Sequence, residues 1–304
     1  LQLKFDSDAT NRYMAFCKLA EKEKLGLLSN PASSPDEKFT GTLFSLLSDD
    51  KLMDEFGVSV LASPESVEDR YLKHRYHDLH RIGKKMEKAI ASKFKSQLLA
   101  IYNKRKEREF EGSYMQKTLA RIKNRQVKNA CLAVLSSLDT PDIHALVLEQ
   151  FRHPQAASDK YAAFALYLES GTDGKLQLVR EYEKEACNDL VEWEVFLSCI
   201  GGNDADDAIS IIKEISNSPH FRISQSNDQR MFLRFAYNKR LSLQTGEGRE
   251  FLKETIIKLA RINEYTAVHM LNSFSKINDF PPEFHEPIIR MLVQMLDAID
   301  AKKS

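Results

Sequence analysis

Residues 140–215 decide the fold: TPDIHALVLEQF at 140–151, YAAFALYL at 161–168, TDGKLQLVREY at 172–182, NDLVEWEVFL at 188–197 and NDADDAISIIKEI at 203–215. In each phrase the apolar residues recur at helical spacing: Ile143, Val147 and Phe151; Tyr161, Phe164, Ala165 and Leu168; Leu176, Val179 and Tyr182; Leu190, Trp193, Phe196 and Leu197; Ile209, Ile212 and Ile215. That period places them on one face of a helix rather than on alternate faces of a strand. Between the phrases stand helix starts and breaks: Thr140-Pro141-Asp142, His153-Pro154, Thr172-Asp173, Asn188-Asp189 and Asn203-Asp204. Successive links fall roughly fifteen residues apart, too close for anything but one short helix each. The expectation is an all-α chain, a HEAT- or ARM-like superhelix of antiparallel helix pairs without a crisp sequence repeat.

The same grammar extends in both directions. Toward the N-terminus, Asp6-Ser7-Asp8 offers cap oxygens to a helix through Tyr13, Phe16, Leu19 and Ala20. Ser34-Pro35-Asp36-Glu37 reads as a Ser cap, a proline at the first helical position and a glutamate completing a capping box. A further link begins at Ser63-Pro64, and Ile82, Met86, Ile90, Phe94, Leu98 and Ile101 carry one apolar face onward to a break at Phe110 to Ser113. Leu1 to Phe5 alternates weakly and is expected to be a strand end from a preceding domain. Toward the C-terminus, Ile288, Met291, Leu292, Met295, Leu296 and Ile299 form one stripe, after which Asp300 to Ser304 is expected to fray. Residues 1–304 are thus read as one helical domain.

Composition agrees with this reading. Glycine (11) and proline (9) are scarce in 304 residues and fall between the periodic segments, against a β-sandwich with a turn every few residues. The four cysteines, Cys17, Cys131, Cys187 and Cys199, form no C-x-x-C pair and are expected to be reduced thiols, which suits a cytoplasmic protein. No stretch has the length and apolarity of a membrane span, so no membrane is expected as a partner.

The net charge of zero conceals an uneven distribution. Arg70 to Lys128 holds eighteen Lys or Arg against five Asp or Glu, whereas Asp139 to Glu214 holds sixteen acids against six bases. Two readings follow: solvated faces that complement neighbouring segments, or a surface for nucleic acid along Arg70–Lys128.

No complete catalytic set is present. His74, His77 and His80 recur every three residues, but on a helix such positions span about a third of the circumference, so at most two share an ion, and no nearby Cys or Glu completes a four-ligand set at normal spacing. His285-Glu286 opens like a zincin motif, yet Pro287 follows and Ile289 occupies the second ligand position. Gly246-Glu247-Gly248 lacks the third glycine and the preceding strand of a dinucleotide loop and reads as a flexible link. The chain alone is therefore expected to be no enzyme and to hold no cofactor.

One irregular polar stretch, His220 to Arg230, interrupts the helices before Phe235 and Asn238. It resembles the C-terminal helical domain of bacterial-type aminopeptidase N, the zinc-dependent alanyl aminopeptidase family. The resemblance is carried by His220, Phe221, Asn227, Arg230, Phe235, Asn238, Gly246, Gly248, Asn263 and Ala267. Phe5-Asp6-Ser7-Asp8-Ala9-Thr10-Asn11-Arg12, Leu98 to Tyr102, Arg121 to Leu135, Leu148 to Phe151 and Asp189 to Trp193 continue it in order.

The resemblance implies a non-catalytic domain that walls the active-site chamber and restricts peptide access while the parent enzyme removes N-terminal residues. It places zinc in the preceding catalytic domains, which would be this chain's partners together with peptide substrate, and it implies no nucleic acid. It also implies that Asn227 and Arg230, with Gln225, face the peptide channel. The sequence departs from the family's Asn-Pro-Asn-Arg phrase, having Gln225-Ser226-Asn227-Asp228 instead, without the proline and with an acid at a commonly basic position. The alternative reading is a free-standing helical-repeat scaffold that binds a protein partner.

Overall fold

The computed structural model describes residues 2–60, 75–106, 108–275 and 277–300. Among these residues all regular structure is helical, as the spacing predicts. The chain divides into two compact units, residues 1–166 and 167–304, where the sequence reads as one domain.

The first unit contains α1 (Gln2–Phe5), α2 (Ala9–Ser29), α3 (Glu37–Leu47), α4 (Asp50–Phe56), α5 (Tyr76–Lys106), α6 (Tyr114–Ser136), α7 (Pro141–Arg152) and most of α8 (Ala157–Glu169). Its centre is α5 lying along α6. Ile82, Met86, Ile90, Leu98 and Tyr102 of α5 and Val127, Cys131, Leu132 and Leu135 of α6 are fully or almost fully buried. Each such aliphatic side chain contributes about 1.5–3 kcal/mol by leaving water. α5 is kinked at Phe94 (φ −121°, ψ 21°), where the Phe94 ring lies flat on Phe44 of α3 at 4.1 Å.

The caps follow side-chain oxygens closely. Asp8 accepts from the Thr10 and Asn11 amides and starts α2. Ser113 and Gln116 form a reciprocal capping box at α6, which ends the expected break at Phe110 to Ser113.

Several local expectations are corrected. Residues 2–5 form a single helical turn rather than a strand end: the Asp6 amide donates back to the Gln2 carbonyl at 3.0 Å and Leu3 is buried. The cap of α3 is Asp36, not Ser34. Its carboxylate accepts from Lys38 and Phe39 at 2.7 and 3.0 Å, while its own amide donates to Glu23 at 2.7 Å. One carboxylate serving two orphan amides outcompetes a serine that can serve one. The helix start at Ser63-Pro64 lies outside the described residues.

The second unit contains α9 (Lys175–Ala186), α10 (Leu190–Gly202), α11 (Ala208–Ser216), α12 (Ser226–Tyr237), α13 (Lys239–Ser242), α14 (Gly246–Leu259), α15 (Glu264–Leu271) and α16 (His285–Asp300). α9 starts after Gly174 rather than at Thr172-Asp173, and α11 starts after Asp207 rather than at Asn203-Asp204. Asn203 instead closes α10, and its side chain accepts from the Ala205 amide, so its capping oxygen is spent on a turn. On α16, Ile288, Met291 and Met295 are buried, but Leu296 is exposed, so the expected single stripe divides. Asp300 ends α16, and the fraying expected beyond it lies outside the described residues.

Two glycines set helix spacing in this unit. A Cβ on Gly201 would sit 2.2 Å from the Met231 carbonyl oxygen, so α10 meets α12 backbone to side chain-free backbone. A Cβ on Gly248 would sit 1.8 Å from the Leu241 carbonyl oxygen. Gly246 and Gly248 therefore belong to the first turn of α14, capped by Thr245, and not to a flexible link.

Candidate functional site: the link before α12

The stretch from Asn217 to Gln225 joins α11 to α12 and is fixed from beneath by an aromatic anchor. Phe221 is buried, edge-on to Phe232 at 5.5 Å, and Phe232 and Phe235 in turn meet Phe251 of α14. With that ring buried, the polar residues on either side run along the surface.

Two consecutive residues in the first turn of α12 hold the link. Asp228 is 2 % exposed. One of its carboxylate oxygens accepts the Trp193 indole N–H at 3.1 Å, and the other accepts the Arg222 backbone N–H at 2.7 Å. A carboxylate near a helix N-terminus also meets the favourable end of the helix dipole. Gln229 is fully buried; its amide N–H donates to the Ile223 carbonyl at 2.7 Å, and its oxygen accepts from Asn263 and Thr266, both at 2.7 Å. Asn263 caps α15, so one glutamine joins the link, α12 and α15.

The residues implied to face a peptide channel are all at the surface of this unit. Gln225 is the N-cap position of α12 but makes no side-chain cap bond. Gln225 and Asn227 are exposed, and their side chains have no polar partner among the described residues. Arg230 is 60 % exposed and pairs with Glu194 of α10 at 3.1 Å. It is not a buried brace for the link; Asp228 and Gln229 have that role. The close approach at Gly201 is what brings α10 near enough for the Arg230–Glu194 and Asp228–Trp193 contacts.

In the sequence Asp228 stands out only as a departure from a family phrase. The available signal was the single tryptophan: a buried indole N–H requires an acceptor, and an Asp in a helix's first turn can supply one while reaching back to a preceding amide. The other implied positions are structural. Asn238 caps α13 and donates to Asp204 at 2.8 Å, beside the buried Arg240, which donates to the same carboxylate at 2.9 Å. His220 is exposed.

Part of the basic segment is neutralised within the first unit. Lys93 pairs with Glu37, Lys95 with Asp142, Lys104 and Arg105 with Asp50, and Arg105 and Arg108 with Asp54. The buried Lys128 meets the buried Asp159 at 2.7 Å. For these residues the charge pattern follows the complementary-face reading.

No group of three His, Cys, Asp or Glu among the described residues is placed to hold a metal ion. His74 lies outside the described residues, and the His285 ring nitrogen is engaged with the Phe280 carbonyl at 2.8 Å. No helix among the described residues is long and apolar enough to cross a membrane. The thiols are all unpaired, and burial pushes Cys131 up to about 12 and Cys199 to about 11, which suppresses their thiolates.

Two comparisons place the chain among known proteins. A family model described as "Domain of unknown function (DUF3458_C) ARM repeats" matches residues 1–302. The crystal structure of Legionella pneumophila aminopeptidase A in complex with aspartic acid is similar in fold, with a TM-score of 0.85 at 17% sequence identity. The similarity covers 98% of this chain and 36% of that one, so the chain spans about a third of the length of the aminopeptidase it matches.

Proposed function

Because the chain belongs to the DUF3458_C ARM-repeat family, we propose that it is the C-terminal helical domain of an aminopeptidase N-like zinc metallopeptidase and is not catalytic by itself. The observation that carries this reading is the fold match: almost the whole chain corresponds to only 36% of an aminopeptidase, leaving the chemistry to the remainder. On this reading zinc belongs to the catalytic domains of the parent protein. The catalytic domains of the same polypeptide are the partners, in the cytoplasm, with no nucleic acid involved.

The domain walls the chamber and limits which peptides reach the active site. Within it, Arg230 is suited to peptide carbonyls or carboxylates through its planar guanidinium, with Asn227 and Gln225 beside it. Exposed side chains and the absence of side-chain partners for Gln225 and Asn227 among the described residues support this assignment. Glu194 pairs with Arg230 and is the group a peptide carboxylate would displace.

The test is to mix the chain with the zinc-containing catalytic region and measure hydrolysis of peptides of graded length. Association is expected, with slower cleavage of long peptides relative to short ones; R230A in this chain should relax that selectivity. Failure to associate, or unchanged length selectivity, overturns the chamber-wall role. Zinc-dependent hydrolysis by the isolated chain overturns its non-catalytic assignment.

A further inference from the structure

One concave site in the first unit stands apart from all of this. The end of α5, the segment leading into α6, α6 itself and the α7–α8 link enclose a cavity of about 290 Å³. Its walls are Arg105, Lys106, Arg108, Phe110, Arg121, Asn124, Arg125 and Gln155, with no carboxylate among them. The charges divide into two groups. Arg105 and Arg108 are met from behind by Asp50 and Asp54. Lys106, Arg121 and Arg125 have no ion-pair partner among the described residues, and Arg121 and Arg125 stand one helical turn apart on α6.

Arg105 adds an independent sign. Its side chain is 0 % exposed, and one terminal nitrogen bonds Asp54 at 2.6 Å while the other bonds Asp50 at 2.7 Å. Its Nε is buried with no hydrogen-bond partner. A buried charged donor left unmade is costly, so it marks a place where an acceptor belongs. The walls are also preset: Asn124 donates to the Arg105 carbonyl at 2.7 Å, and Gln155 donates to the Lys106 carbonyl at 2.5 Å.

We propose that this cavity binds a small organic phosphate monoester. Three unpaired cations and a fourth donor exceed what one carboxylate can satisfy, whereas a phosphate dianion offers more acceptor oxygens and a second charge. Phe110, with the Arg108 guanidinium 5.2 Å from its ring centre, gives a flat apolar wall for the organic portion. The volume sits at the lower end for small-molecule pockets, matching a phosphate with a compact body. The inference rests on residues 105–155 alone and stands whether or not the chamber-wall reading holds.

Calorimetric titration of the full chain with phenyl phosphate, inorganic phosphate and benzoate tests it. Phenyl phosphate should bind most tightly, about tenfold better than benzoate, since one charge-assisted hydrogen bond is worth about that factor. R121A/R125A should weaken phenyl phosphate by at least about tenfold, and R121K/R125K, which keeps the charge but loses the planar fork, should weaken it less. K18A/K88A removes the same charge from exposed positions outside the cavity and should leave binding unchanged. F110A should bring phenyl phosphate down to the affinity of inorganic phosphate. Absence of phenyl phosphate binding at millimolar concentration, equal affinity for benzoate, or equal loss in K18A/K88A overturns the proposal.

Discussion

At the scale of single residues, stability in the second unit turns on Asp228. It is a buried carboxylate with two donors, the Trp193 indole N–H and the Arg222 amide. Removing it leaves the buried Trp193 indole N–H unsatisfied, which costs more than the bond itself contributes, and frees the part-buried Arg222 amide. D228A is expected to lower unfolding stability by about 2–4 kcal/mol. D228N keeps the shape but turns one acceptor into a donor facing a donor, and should cost about half as much. Urea midpoints measured at constant slope decide the matter; an unchanged midpoint for D228A would show that the buried carboxylate does not hold the link. Arg230, two residues on, should be nearly neutral in the same measurement, because exposed pairs such as Arg230–Glu194 contribute only about 0–1 kcal/mol.

At the scale of elements, the sequence is legible wherever a helix faces one core and a single polar residue marks its start. The starts of α7 after Thr140 and α10 after Asp189, and the buried face of α5 through Ile82, Met86, Ile90 and Leu98, follow directly from spacing. Legibility fails where two cap residues stand within a few positions, as at Ser34 and Asp36 or Asn203 and Asp207. The choice there depends on partners distant in sequence, such as Glu23 for Asp36. It also fails for close packing, because a glycine in a helix looks permissive until the opposing backbone is known. Gly201 and Gly202 make that contrast in adjacent positions. A Cβ at Gly202 meets nothing within 4 Å, whereas at Gly201 it enters the Met231 carbonyl. G202A should be neutral or stabilising by up to ~1 kcal/mol through helix propensity. G201A must push α10 off α12 and should cost roughly 1–3 kcal/mol or more, despite the same propensity gain. Thermal unfolding of the two variants checks it. Equal midpoints would mean that the α10–α12 contact does not depend on that close approach.

At the scale of the whole molecule, the bases of α5 and the acids that pair with them are expected to make the first unit sensitive to acid. Asp8, Asp50, Asp54 and Asp142, in residues 1–166, are held below the ordinary carboxylate value. A hydrogen bond from Lys104 lowers Asp50, with Arg105 adding to it. Burial raises Asp54, but hydrogen bonds and attraction from Arg108 and Arg105 together outweigh it. A carboxyl whose folded-state pKa is depressed binds its proton more readily when unfolded. Its contribution is therefore present above the unfolded pKa near 3.8 and is lost as pH falls through the lower folded value. Acidification from pH 5 toward pH 2 should thus loosen the first unit by protonating the acids that pair with α5. Hydrogen exchange resolved along the chain at descending pH reads this directly, with protection in α4, α5 and α6 expected to fall before that in α10 and α12. D50N/D54N should lower stability at neutral pH and flatten the acid dependence of the first unit. Unchanged steepness in that variant, or earlier loss of protection in α10 and α12, would rule out the Asp50–Asp54 cluster as the source of acid sensitivity.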